Sequence, residues 1–178
     1  SEWPLRYLVP LVITTSAPCS SGRKFIGLAK VPSTRRATPY SRATWDGTSV
    51  ALTSLSEQIE PAFALLADVT RHPKFATPEI ERLRRQTLDD LRLGLEEPGT
   101  VARLAAGRVI LGRGLYASPA NGTIASIQRL RRQEIIDFHS ARYTAGEAVL
   151  IIAGNIAADT AFKLAGKNFA DWKAAPDK

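Results

Sequence analysis

Methionine is absent from all 178 residues, cysteine occurs once and histidine twice. Without methionine the chain is not expected to begin at a translational start, and it reads as a processed product or a partial chain. The single cysteine, Cys19, excludes an intrachain disulfide and leaves the compartment open. It sits in a polar Pro/Ser stretch, so as a nucleophile it reads as incidental. No apolar run approaches the roughly 18 residues a membrane helix needs. The longest is Ala148 to Ala153, and the beginning of the chain lacks the apolar core of a signal peptide. No G-x-S-x-G elbow, phosphate-binding loop or dinucleotide fingerprint is present, which removes the usual hydrolase and nucleotide-binding signatures.

Acidic residues are also in deficit, 17 against 24 Lys and Arg, for a net charge of +7. That balance raises a nucleic-acid reading, with Arg82, Arg84, Arg85 and Arg92 tracking phosphates. These arginines interleave with Glu79, Glu81, Asp89 and Asp90, and no aromatic platform accompanies them. A solvated helix face is the better reading, and no nucleic-acid partner is expected.

What is present is a foldable domain: 44% of residues are apolar, enough for a sizeable core. Val9 to Thr14 is β-branched and reads as a strand, with Pro10 near its start. From Ser16 to Thr44 the chain is rich in Ser, Thr, Pro and Arg and reads as irregular. Thr48 to Leu55 alternates, Val50 and Leu52 on one face against Ser49 and Thr53 on the other. Glu60-Pro61 opens a helix with Phe63, Leu66, Ala67 and Thr70 at helical spacing, ended by His72-Pro73. Thr77-Pro78-Glu79 starts a second, whose stripe is Ile80, Leu83, Leu88, Leu91 and Leu95. Pro98-Gly99 breaks it, and a third spans Thr100 to Leu111. Two shorter helices follow, at Ile124 to Leu130 and Gln133 to Tyr143. Ala148 to Ala153 is a buried strand, and Ala158 to Trp172 a last helix with Phe162, Ala165 and Phe169 inward. Helix runs between separated strands predict an α+β fold, helices packed on one face of a mostly antiparallel sheet.

Specific segments resemble a family. S-V-A-L-T-S-L-S-E (Ser49 to Glu57), A-L-L-A-D-V, H-P-K-F, P-E-I-E-R-L-R and L-D-D-L are similar to the pitrilysin/insulinase superfamily of zinc metallopeptidases, of the mitochondrial-processing-peptidase kind. So are N-G-T-I-A-S-I, F-H-S-A-R-Y, A-V-L-I-I-A-G-N and A-F-K-L-A-G-K-N-F-A-D-W, in the same order. Residues 1–178 then form one half-domain, apparently shortened: 1–44 is its divergent part and 45–172 its well-matched part.

The resemblance implies a helix with H-x-x-E-H, two histidines one turn apart on zinc and a glutamate as general base. This chain has no such helix. After Gly27-Leu28-Ala29, which resembles the tripeptide before it, Pro32 would break the helix, and only residues 30–44 precede Trp45. His72 and His139 read as surface or capping residues. Asp90, in L-D-D-L, stands at the family's downstream ligand position; one carboxylate cannot hold zinc, so no metal and no catalytic residue are expected here. Zinc would belong to active relatives or to a partner.

The resemblance therefore implies a non-catalytic peptidase-like subunit or domain that pairs with itself or with a zinc-bearing homologue and helps form a chamber for a peptide substrate. Two alternatives stand beside it: a true zinc peptidase whose catalytic segment is missing from the chain, and a structural or binding protein, such as a core-type subunit or a basic nucleic-acid binder. Bacterial periplasm or cytoplasm and the mitochondrial matrix all suit the resemblance.

Overall fold

The computed structural model describes residues 8–15, 37–112 and 114–174. Among them four strands form a single antiparallel sheet: β1 (Leu8–Thr15), β2 (Ala37–Ala43), β3 (Thr48–Leu55) and β4 (Ala148–Ile152), in the order β2-β3-β1-β4. The three strands expected from patterning share it. β1 pairs on one side with β3, Leu11 opposite Leu52, and on the other with β4, Leu11 opposite Ile152.

β2 lies in the Ser16 to Thr44 stretch that reads as irregular. Its sequence, A-T-P-Y-S-R-A, lacks the β-branched apolar residues that mark a strand. Pairing makes it one, since all seven residues match β3, from Ala37 opposite Ser54 to Ala43 opposite Thr48. Pro39 is tolerated because β2 is an edge, where a missing N–H need break no ladder bond. The remaining residues 16–36, with Cys19, the Gly27 to Ala29 tripeptide and Pro32, lie outside the described residues.

Six α-helices and three short 3-10 turns make up the rest of the described regular structure: α1 (Ile59–Arg71), α2 (Thr77–Glu96), α3 (Pro98–Leu111), α4 (Ile124–Arg129), α5 (Arg132–Arg142) and α6 (Ala158–Phe169). The core forms where α1 and α6 meet one sheet face. Val50 and Leu52 of β3 pack with Ala62, Phe63 and Leu66 of α1, Tyr143 after α5 and Leu164 of α6. Burying side chains of this size contributes about 1.5–3 kcal/mol each before entropy is charged against it. Leu150 and Ile152 of β4 join the same cluster, while Val149 and Ile151 alternate outward. Lys167 Nζ lies 2.5 Å from Glu60 Oε1 and fastens α6 to α1, holding the Glu60 carboxyl below its usual range.

One helix face is rotated from the expected one. Ala165 and Phe169 turn inward as expected, but Phe162 is 77% exposed and Leu164 takes the buried place. Asn168 anchors that rotation. Its side chain donates to the Leu164 carbonyl, and its own carbonyl accepts from Arg71 Nη1 at 2.7 Å. A second small cluster, Ile80, Leu130 and Ile135 with Phe75 against it, joins α2 to α5.

Candidate functional site

Two concavities among the described residues border Trp45. It follows β2 in a turn closed by Thr44, whose N–H and hydroxyl both donate to the Gly47 carbonyl, at 2.8 and 3.1 Å. The indole Nε1 donates to the Ser118 carbonyl at 3.1 Å, across the loop between α3 and α4. The Tyr116 ring lies 6.0 Å from the indole, and its hydroxyl donates to Asp46 at 2.5 Å. That hydrogen bond, with the negative charge behind it, holds the Tyr116 hydroxyl above its ordinary pKa. Both aromatic tips are thus satisfied, and their half-open faces border solvent.

Two clefts meet here, sharing Trp45, Asp90, Leu91, Ala120 and Asn121. The first, of about 650 Å³, runs from Ser41 and Arg42 at the sheet edge to Gln86 and Thr87 of α2. The second, of about 830 Å³, is more apolar and lies between α2 and α3, lined by Leu95, Leu104 and Leu111. Its far wall is the loop before α4. Gly122 in that loop has φ +78°, and a Cβ there would stand 2.9 Å from the Ser126 hydroxyl, so glycine is required. Thr123 and Ser126 then close a reciprocal cap at the start of α4.

Asp90, which the resemblance sets at the downstream ligand position, is exposed and lines both clefts. The residues around it do not fit zinc, which takes nitrogen or sulfur donors alongside carboxylates. Both histidines of the chain are placed elsewhere. His72 caps the C-terminus of α1 and faces Asp68 at 3.6 Å, as expected of a capping residue. His139 departs from the expected surface role: it is 8% exposed, with Nε2 2.8 Å from the Thr70 carbonyl and its ring stacked 4.4 Å from Tyr143. Burial lowers its pKa, the Thr70 carbonyl raises it against that trend, and His72 adds a smaller lowering. Among the described residues no three His, Cys, Asp or Glu side chains come together to hold a metal ion.

Phe75 stacks edge-on against His139 at 5.4 Å, and its φ of +44° is rare for a bulky residue. Arg132 Nε donates to the Phe75 carbonyl at 2.8 Å and holds the turn in place. This buried ring group and the aromatic pair at the cleft are features that spacing does not reveal.

The arginine face of α2 resolves into pairs. Arg82 meets Glu79, Arg84 meets Glu81 and Arg92 meets Asp89, each one helical turn apart. Arg84 does more. Its guanidinium also donates to the carbonyls of Ile127 and Leu130, capping α4, and its side chain is only 14% exposed. An arginine spent on helix carbonyls does not track phosphates.

This arrangement is a helix-backed sheet with an aromatic cleft lined in part by Asp90. Residues 129–178 match the family described as the peptidase M16 inactive domain. The likeness is to a pitrilysin-type M16 inactive domain. An uncharacterized zinc protease of Mycobacterium leprae (strain TN) is 26% identical over 115 residues, 65% of this chain and 26% of that protein. A crystal structure of a peptidase M16 inactive domain from Pseudomonas fluorescens superposes with a TM-score of 0.82 at 22% identity, over 99% of this chain and 48% of that one. A protease from Helicobacter pylori gives 0.83 at 16% identity, over 96% of this chain and 47% of that one. The periplasmic protease PqqL from Escherichia coli gives 0.75 at 12%, over 96% of this chain and 22% of that one. The chain thus spans about a quarter of the M. leprae protein and less than half of these structures, whose low identities speak for the fold alone. No helix among the described residues is long and apolar enough to cross a membrane.

Proposed function

We propose that this chain, one domain over 1–178, is the non-catalytic half of an M16-type peptidase assembly. It pairs with a zinc-bearing homologous half and supplies one wall of the chamber in which an extended peptide is gripped. The observation that carries this reading is the superposition of nearly the whole chain on just under half of an M16 inactive-domain structure. A fold that occurs as half of a larger protein calls for the other half. Two features support the peptide-gripping part. β4 is a sheet edge with Val149 and Ile151 exposed beside it, and an edge strand can pair with an extended chain. The aromatic cleft at Trp45, beside β2 at the opposite edge of the sheet, gives a second, partly apolar surface.

The test is elemental analysis and peptide hydrolysis, on the purified chain and on its mixture with a zinc-bearing M16 half. The expected result is no zinc retained by this chain after dialysis, no hydrolysis by it alone, and hydrolysis by the mixture that exceeds the zinc-bearing half alone. One zinc per chain retained after dialysis would falsify the non-catalytic reading and make this a zinc peptidase in its own right.

A further inference from the structure

We infer that the outer face of α3 is a docking surface for a partner protein that presents an apolar helix flanked by carboxylates. The inference rests on the pairing proposed above and names the surface and chemistry of the partner.

Among the described residues α3 is anchored on one side only. Thr100, Leu104, Gly107 and Leu111 recur at helical spacing and line the cleft against α2. No residue of this helix is buried. The face turned away from α2 carries Ala102, Ala105, Ala106 and Val109, with Val101 and Ile110 at its margins. Val109 is 83% and Ile110 78% exposed. A helix that is apolar nearly all round is normally covered on every side. The alanines leave room for another helix to approach closely, with Val109 and Ile110 as the projecting anchors.

Charge decides what covers it. Between Pro98 and Leu111 there is no acidic residue, and the two charged side chains stand on opposite sides of the helix between its inner and outer faces, Arg103 also lining the cleft against α2 and Arg108 on the other flank. Neither is ion-paired among the described residues; Arg103 has a 3.4 Å contact with Thr100 one turn back. Two copies related by a two-fold axis would set these arginine flanks against one another. They would also bring together two bodies of net charge +7. A partner with Glu or Asp beside its apolar stripe meets the same arginines with opposite charge. Apolar contact then supplies affinity and the flanks supply the choice of partner.

The probes are two labelled helical peptides with one leucine stripe, flanked in the first by Glu and in the second by Lys, titrated with the full chain by fluorescence anisotropy. The Glu-flanked peptide is expected to bind at least tenfold more tightly. V109D/I110D should weaken it at least tenfold with the circular-dichroism spectrum unchanged, because both side chains are already in solvent. R103E/R108E keeps the apolar face and should reverse the preference between the peptides. Equal binding of the two peptides, absence of binding, or indifference to these substitutions overturns the inference. So does self-association of the wild-type chain that V109D/I110D abolishes, which would make a second copy the occupant. If V109D/I110D still pairs with a zinc-bearing M16 half as wild type does, the pairing stands and only its placement on α3 fails.

Discussion

Arg84 and Arg85 are neighbours of one residue type on one helix, and the structure gives them different work. Arg84 satisfies α4 carbonyls that would otherwise end without partners, whereas Arg85 lies in solvent. Replacing Arg84 by Met should cost about 1.5–3 kcal/mol, the range for hydrogen bonds to charged groups. Replacing Arg85 by Met should stay within about 0.5 kcal/mol. Urea unfolding midpoints at unchanged slope measure both; equal effects would contradict the capping role of Arg84. His139 gives a second residue-scale expectation. Its folded pKa lies below the ordinary histidine value near 6.5, mainly through burial. The unfolded chain therefore binds the proton first as pH falls. Stability from this group is complete above about pH 6.5 and is lost progressively below it. His139→Gln keeps a donor for the Thr70 carbonyl but cannot titrate, so its thermal midpoint should fall less steeply than wild type between pH 6.5 and 5. Parallel slopes would contradict this. None of this was legible in the sequence. A histidine in F-H-S-A-R-Y carries no local mark of burial; Thr70 and Phe75, which enclose it, are brought there by α1 and by the turn after it.

At the scale of elements the sequence was readable wherever a segment's own pattern matched its surroundings. The turn signals at His72-Pro73, Thr77-Pro78 and Pro98-Gly99 bound α1, α2 and α3 within about two residues, since proline acts through its own geometry. β2 failed that reading because its strand character comes from β3. A polar, proline-bearing segment becomes a strand when a formed neighbour offers seven partners in register. α6 failed for another reason: its amphipathic pattern is real, but Phe162 and Leu164 compete for the same core, and the Arg71–Asn168 bond selects the rotation that buries Leu164. The consequence is measurable. Phe169→Ala should cost several times more stability than Phe162→Ala, of the order of 3 kcal/mol against less than about 1. A larger loss at Phe162 would mean that the helix faces the other way. The absence of the H-x-x-E-H helix was legible directly, because a ligand pair is local in sequence. The cleft at Trp45 was not, because Tyr116 and Ser118 reach it from more than seventy positions away.

At the scale of the whole molecule, the sheet is covered on one face by α1 and α6, while exposed apolar side chains remain at β4 and along α3. On the proposed reading, these exposed valines and isoleucines are surfaces that the second half covers. On the same reading, the cleft lined by Asp90 contributes shape to a chamber rather than a metal site. An interface that completes the assembly should exceed about 1,000 Å² and depend more on apolar contact than on charge, so moderate salt should not dissolve it. Sedimentation velocity of this chain mixed with a zinc-bearing M16 half, at micromolar concentration in low and moderate salt, tests that most directly. The account predicts a single faster-sedimenting species containing both chains under both conditions; two independent monomer boundaries at every concentration would contradict it.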